Sequence, residues 1–265
     1  MIPTEIFERI LDHLYDDVRT LKACTLVCWS WFTRSRYHLF ADVQLDSPRI
    51  DEFLQCFDAN TLRAVRGLTA CVPREFQFQL DRTPSSSSSS QPEDPFVKVS
   101  ILLPNIEFLR LATFPPPTRL PSWLANYQNT LTHLVIQNTV FPTMSSFLTA
   151  ISGLRVLRHL GVEFVCWMTQ DFPSPEEFPV SEVLESLSFD LDMAGVKIVQ
   201  WILGRHAPPP VTRVYLHAYD PEVTEEVVVV YKNLAKSLEC VNVTQDVLKS
   251  SKHPLQTKTT SQQSL

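Results

Sequence analysis

Glycine is nearly missing from this chain: there are five in 265 residues, and none among the first 40. A glycine-rich phosphate loop has nowhere to form, and no metal-ligand cluster or catalytic-triad spacing takes its place, so an enzyme is not expected. No Lys/Arg run or basic stripe stands out, and the net charge is −6, which argues against nucleic acid as a partner. Long apolar runs are lacking too. The most apolar, Val227 to Val230, is flanked by Glu225, Glu226 and Lys232, so no membrane span is expected. The opening Met1-Ile2-Pro3-Thr4-Glu5 is acidic and lacks the basic start and apolar run of a secretion signal, which leaves the cytoplasm, the nucleus or both as the expected location. No CxxC pair occurs among the six cysteines, at 24, 28, 56, 71, 166 and 240. Several lie inside apolar patterns and read as buried free thiols in a reducing compartment. Cys24 and Cys28 are one helical turn apart but have no companion ligands nearby, so neither a metal nor another cofactor is expected.

What is present falls into two parts. Residues 1–40 have helical spacing: Ile6, Phe7, Ile10, Leu11 and Leu14 form one apolar stripe. Pro3 suits a first helical turn. Asp16-Asp17 breaks the pattern, and Asp17 is placed to cap a second helix carrying Val18, Leu21, Leu26, Val27 and Cys28. A third short segment holds Trp31, Phe32, Leu39 and Phe40.

From residue 41 to about 247 the pattern becomes apolar-x-x-apolar-x-apolar. It recurs as Ile106/Leu109/Leu111, Leu131/Leu134/Ile136, Leu157/Leu160/Val162, Leu184/Leu187/Phe189, Val211/Val214/Leu216 and Leu238/Val241/Val243. The central residues are 25, 26, 27, 27 and 27 apart, the period of a leucine-rich-repeat solenoid with one strand and one helix or turn per unit. Val65/Leu68/Ala70 and Phe40/Val43/Leu45 extend it backwards. The step from 68 to 109 is longer, 41 residues, and contains a Ser- and Pro-rich insertion at about 83–95 with nothing to bury, expected to be a loop. Helices are expected over Ile50–Phe57, Ser122–Tyr127, Thr143–Ile151, Ala194–Leu203 and Glu222–Leu238. The polar stretch 248–265 is expected to be a disordered tail.

The run Ile2-Pro3-Thr4-Glu5-Ile6, then Ile10-Leu11, Leu14, Leu21, Val27-Cys28 and Trp31, closing on Leu39-Phe40, resembles the F-box. Two positions depart from the family pattern: Ile2 stands for Leu, and Trp29 stands where Arg or Lys is usual. The passage into Leu-Phe-x-x-Val-x-Leu is similar to F-box proteins that run directly into leucine-rich repeats, a type common in fungi. The resemblance implies an α/β protein: an N-terminal three-helix F-box over 1–40, then a leucine-rich-repeat-like α/β solenoid, or horseshoe. It also implies a non-catalytic role as substrate receptor of an SCF-type ubiquitin ligase. The F-box would bind a Skp-type adaptor, and through it cullin and RING subunits, while the repeats hold a target protein. A ligase-independent scaffold using the same helices is the alternative. The family's repeat Asn or Cys has no counterpart at Phe114, Thr139, Val165, Asp192 or Tyr219, so no asparagine ladder is expected.

A three-helix unit this short cannot bury all its large side chains internally. Pro3, Ile6, Ile10, Leu14, Leu21, Val27, Cys28 and Trp31 are the candidates for adaptor contact; otherwise they are only the core of a helical cap. On the strands, residues between the apolar ones point to the opposite, concave face. That face would carry Phe108, Arg110, His133, Val135, Gln137, His159, Glu163, Ser186, Ser188, Asp190, Arg213, Tyr215 and His217. Of these, Arg110, His133, His159, Arg213, Tyr215 and His217 are the candidates for target contact, Arg and aromatic types being enriched at interfaces. His133 and His159 share a repeat position and should be neighbours, with Glu163 close by; no third ligand or nucleophile converges on them.

Overall fold

The computed structural model describes residues 4–46, 49–71, 95–113, 120–169, 171–190, 193–218 and 240–245. Helices α1 (Thr4–His13), α2 (Val18–Cys24) and α3 (Trp29–Leu39) come first, and α3 hands over to strand β1 (Asp42–Asp46). The later strands are β2 (Gly67–Cys71), β3 (Phe108–Ala112), β4 (His133–Phe141), β5 (His159–Trp167), β6 (Ser186–Asp190), β7 (Arg213–Ala218) and β8 (Cys240–Gln245). All pair in parallel, and their order across the eight-stranded sheet is their order in the chain. The connections carry α4 (Ile50–Cys56), α5 (Ala59–Ala64), α6 (Pro95–Leu102), α7 (Leu120–Leu124) with a 3-10 turn at Ala125–Tyr127, α8 (Met144–Ile151) and α9 (Met193–Leu203). The α/β class expected from the sequence is what the chain adopts.

The register explains the spacing. Val43, Leu68, Leu109, Leu134, Leu160, Leu187, Val214 and Val241 are successive partners across the sheet. Two residues on, Leu45, Ala70, Leu111, Ile136, Val162 and Phe189 form a second row. Both rows, as far as Val214, are buried in one continuous core. Helices close that core. The helices α4, α6, α7 and α8 pack on one another in turn, α8 leans on β4, and α9 on β5 and β6.

Several boundaries differ from the expected ones. The second helix ends at Cys24, not beyond Val27; Leu26 and Val27 lie in a turn, and Cys28 is extended (φ −163, ψ 170) as the N-cap of α3. Pro95, assigned to the insertion, opens α6, where its missing N–H costs nothing. The short α5 was not expected; the Asp58 carboxylate starts it by accepting from the Asn60 and Thr61 amides at 2.9 and 3.0 Å. Only the first part of Ser122–Tyr127 is α-helical, its end being the 3-10 turn. Of the cysteines, Cys24 alone among the described residues is buried, while Cys28, Cys56 and Cys166 are exposed free thiols. The Ser-rich stretch to 94, the expected helix Glu222–Leu238 and the tail 248–265 lie outside the described residues.

A repeated backbone feature is not marked by glycine. Thr113, Asn138 and Phe164 have φ of 57°, 50° and 53°, each four residues past its strand's central Leu. Asn tolerates this left-handed region; Thr and Phe adopt it under strain. At Phe164 the surroundings hold it, because its amide donates to the Asp190 carboxylate on the next strand.

Close packing of α9 on β6 rests on a missing side chain. A Cβ at Gly195 would lie 2.3 Å from the Asp190 carbonyl oxygen and 2.8 Å from Phe189 Cδ2. A backbone carbonyl cannot swing aside. Gly195→Ala gains about 1 kcal/mol of helix propensity, but overpacking costs about 1–3 kcal/mol. The net expectation is a lower midpoint in urea unfolding, while Gly153→Ala, where nothing lies within 4 Å, leaves it unchanged or higher.

Candidate interaction surfaces

The N-terminal helices are held by few interactions. Asp17 caps α2, accepting from the Thr20 amide at 3.0 Å and the Thr20 hydroxyl at 2.6 Å. Asp12 on α1 ties down α3: its carboxylate accepts from Arg34 Nε and Nη2 at 2.7 and 2.8 Å and meets His38 Nε2 at 2.8 Å. These bonds, Arg34's first, hold the Asp12 carboxyl down at about 2. Among the described residues the apolar core of the unit is Leu11, Leu21 and Cys24, with Leu14, Trp31 and Leu39 packed partly against it. Phe7 and Trp31 meet with ring centroids 5.4 Å apart. The unit joins the body through Phe40 on Phe57, 4.8 Å between centroids.

Much apolar surface is left outside that core. Leu26 is 86% exposed, Trp29 79% and Val27 61%, and Ile6, Ile10, Tyr15 and Val18 are also open. Of the residues expected to touch an adaptor, Ile6, Ile10, Val27 and Cys28 are exposed. Leu14 and Trp31 are half-buried. Leu21 is a correction: it is wholly buried and serves the internal core. Pro3 lies outside the described residues. Leu26 and Trp29, the most open of all, were not singled out as contacts, because the apolar pattern placed Leu26 within a helix that in fact stops short of it. Cys28 sits among these side chains; the Ser30 hydroxyl beside its sulfur at 3.2 Å lowers the thiol's proton affinity.

The second surface is the face of the sheet opposite the large core. Along the strand starts, aromatic rings follow one another: Phe108 to His133 at 6.1 Å, His133 to His159 at 5.7 Å, and His159 to Tyr215 at 6.1 Å. Arg213 is exposed and pairs with Glu185 at 3.3 Å; Arg158 meets the same carboxylate at 2.8 Å. Arg110 is half-buried, and its Nε is buried with no hydrogen-bond partner among the described residues. His217 falls opposite Asp190 in the register, its side chain outside the described set.

This face is less open than its alternation suggested. Val135, Glu163, Ser186, Ser188 and Asp190 are buried. Short side chains lie between larger ones here. Ser186 bonds His159 Nδ1 at 2.7 Å, Glu163 accepts from the Gln137 amide, and Asp190 holds the Phe164 amide. Glu163 is not beside the histidine pair. It pairs with Gln137, four residues along the strand from His159, roughly 13 Å away. Among the described residues no group of three His, Cys, Asp or Glu is placed to hold a metal. Nor is any described helix long and apolar enough to cross a membrane.

No family model matches the chain, and no curated protein matches it.

Burial, then the neighbouring His133 and Arg213, push His159 down to about 4, and burial also lowers His133. Between pH 6.5 and about 4 the unfolded chain therefore takes up a proton that folded His159 refuses, so stability falls as pH falls through that window and is unaffected above it. Thermal melts from pH 7.5 to 4.5 should show the decline. His159→Gln, neutral throughout, should make it shallower; an unchanged slope in that variant would show that His159 is not the group responsible.

Proposed function

We propose that this chain is a substrate-receptor subunit of an SCF-type ubiquitin ligase. In this reading α1–α3 are an F-box that binds a Skp-type adaptor, and through it cullin and RING subunits. The sheet is a leucine-rich-repeat-like solenoid whose outer face holds a target protein. The single observation that carries the reading is the excess of exposed apolar surface on α1–α3. Six or more large apolar side chains surround a core of three buried residues, far more than scattered surface residues explain. The helical motif resemblance supports it independently. The repeat reading draws support from an all-parallel sheet in chain order, whose register partners from Leu109 to Val241 recur every 25–27 residues.

The physical role of such a subunit is placement. The α3 helix is followed directly by β1, and Phe40 packs on Phe57, so the helical unit is in contact with the body that carries the sheet. A protein held on the sheet would then be brought near whatever holds α1–α3.

Ile10→Lys combined with Val27→Lys tests the adaptor half. Both side chains are exposed, so folding stability should change by less than about 0.5 kcal/mol each. Affinity for a Skp-type adaptor, measured by calorimetry, should fall at least thirtyfold, the loss of about 2 kcal/mol expected for interface anchors. Undiminished binding would reject the assignment. Adaptor binding without cullin recruitment would point instead to the ligase-independent scaffold. A footprint adds a second reading: bound adaptor should block maleimide labelling of Cys28 while the exposed Cys56 and Cys166 still react.

A further inference from the structure

At its first-strand edge the outer sheet face holds a pocket of about 360 Å³. Its floor is one register row, Asp42, Gly67, Phe108 and His133, at the starts of β1 to β4. Arg66 and Glu107 form the wall and pair with each other at 2.6 Å. Their charges therefore cancel locally. Asp42 makes no hydrogen bond or ion pair among the described residues, so its carboxylate is the uncompensated charge of the pocket. Gly67 makes room for it: a Cβ there would lie 2.8 Å from Asp42 Oδ1. Along the same row Phe108 follows two strands on from Asp42 and His133 three, their rings 6.1 Å apart and tilted by 38°.

One carboxylate and two rings, open along a sheet face, complement a cation on an aliphatic stem. The charge meets the carboxylate, and the stem runs over Gly67 towards the rings. Arg66 meets Glu107 through Nη1, while its Nε is buried with no hydrogen-bond partner among the described residues; an anion is nevertheless disfavoured, because the unbalanced charge is negative. A metal ion would find no third ligand here. His133 does not compete as a cation, because burial lowers its proton affinity and leaves the ring neutral at pH 7. The ring row continues from the pocket through His159 to Tyr215, the run of surface that an extended protein segment would follow.

We propose that the Asp42–Phe108–His133 pocket takes a lysine or arginine side chain of the protein held on the outer sheet face. This rests on the reading of that face as a target-binding surface, and it names a chemical feature of the target: a basic residue, bound at the end of the sheet nearest α3.

The test uses the full-length chain and small probes, followed through the His133 ring protons by NMR. Nα-acetyl-arginine amide and Nα-acetyl-lysine amide should give saturable shifts in the millimolar range. Nα-acetyl-norleucine amide, with an uncharged stem of similar length, should give none. Asp42→Asn, isosteric and on the surface, should weaken the charged probes at least tenfold without changing the melting temperature. Phe108→Ala should weaken them too, and a circular dichroism melt checks that it folds. Absence of a saturable shift, equal shifts from norleucine, or undiminished binding by Asp42→Asn would each overturn the proposal. None of these measurements involves the adaptor, so loss of the ligase reading and loss of this one are separately visible.

Discussion

A parallel strand can follow its predecessor only if the chain between them travels back to the same end of the sheet. That return is the constraint on which the rest of this molecule depends. From Leu109 to Val241 each return takes 25 to 27 residues, and each places an aliphatic side chain directly beside the previous one. The buried rows made this way are continuous, so a shift of one residue in any strand would move its whole apolar set to the other face. Register is thus tied to burial, and burial to the helices that cover the rows. The longer return between Leu68 and Leu109 does not disturb the pairing: Gly67 still meets Phe108, and Cys71 meets Ala112. Loop closure grows only slowly more costly with length, so extra residues in a connection leave the strands in place.

The α1–α3 unit lives by a different balance. It has no sheet to lean on, and its own core is three side chains with a half-buried rim. Polar ties take over part of the work, Asp12 joining α1 to Arg34 and His38 on α3, and Asp17 starting α2. The outcome is a small folded unit that keeps Leu26, Val27 and Trp29 in water. Such exposure is costly for an isolated protein and expected of one that spends its time against a partner, which is why this feature, and not the sheet, carries the proposed function.

The outer sheet face shows how neighbours decide the meaning of a residue. His133 and His159 occupy the same register position, yet one is exposed and hydrogen-bonded to Thr132, and the other is covered and bonded to Ser186. The covered one loses much of its proton affinity; both stay neutral near pH 7. Charge on this face then comes from carboxylates and arginines, among them Asp42, Arg110 and the Arg158–Glu185–Arg213 cluster.

The sequence by itself determined the α/β class, the spacing of the strands and which side chains face the large core, because periodic burial leaves a periodic pattern that needs no partner to be read. It determined Asp17 as a helix cap for the same local reason. Only the tertiary structure decided that Leu21 is core while Leu26 and Trp29 are open, since that depends on where α2 stops and how α3 crosses it. It alone decided that Ser186, Ser188 and Asp190 are buried on the face the alternation left to water, because neighbouring strands supply the cover. The left-handed turns at Thr113, Asn138 and Phe164 belong to the same class. Asn suits such a turn, but nothing in a Thr or a Phe announces one; at Phe164 a contact between strands holds the backbone there, the Asp190 carboxylate accepting from its amide.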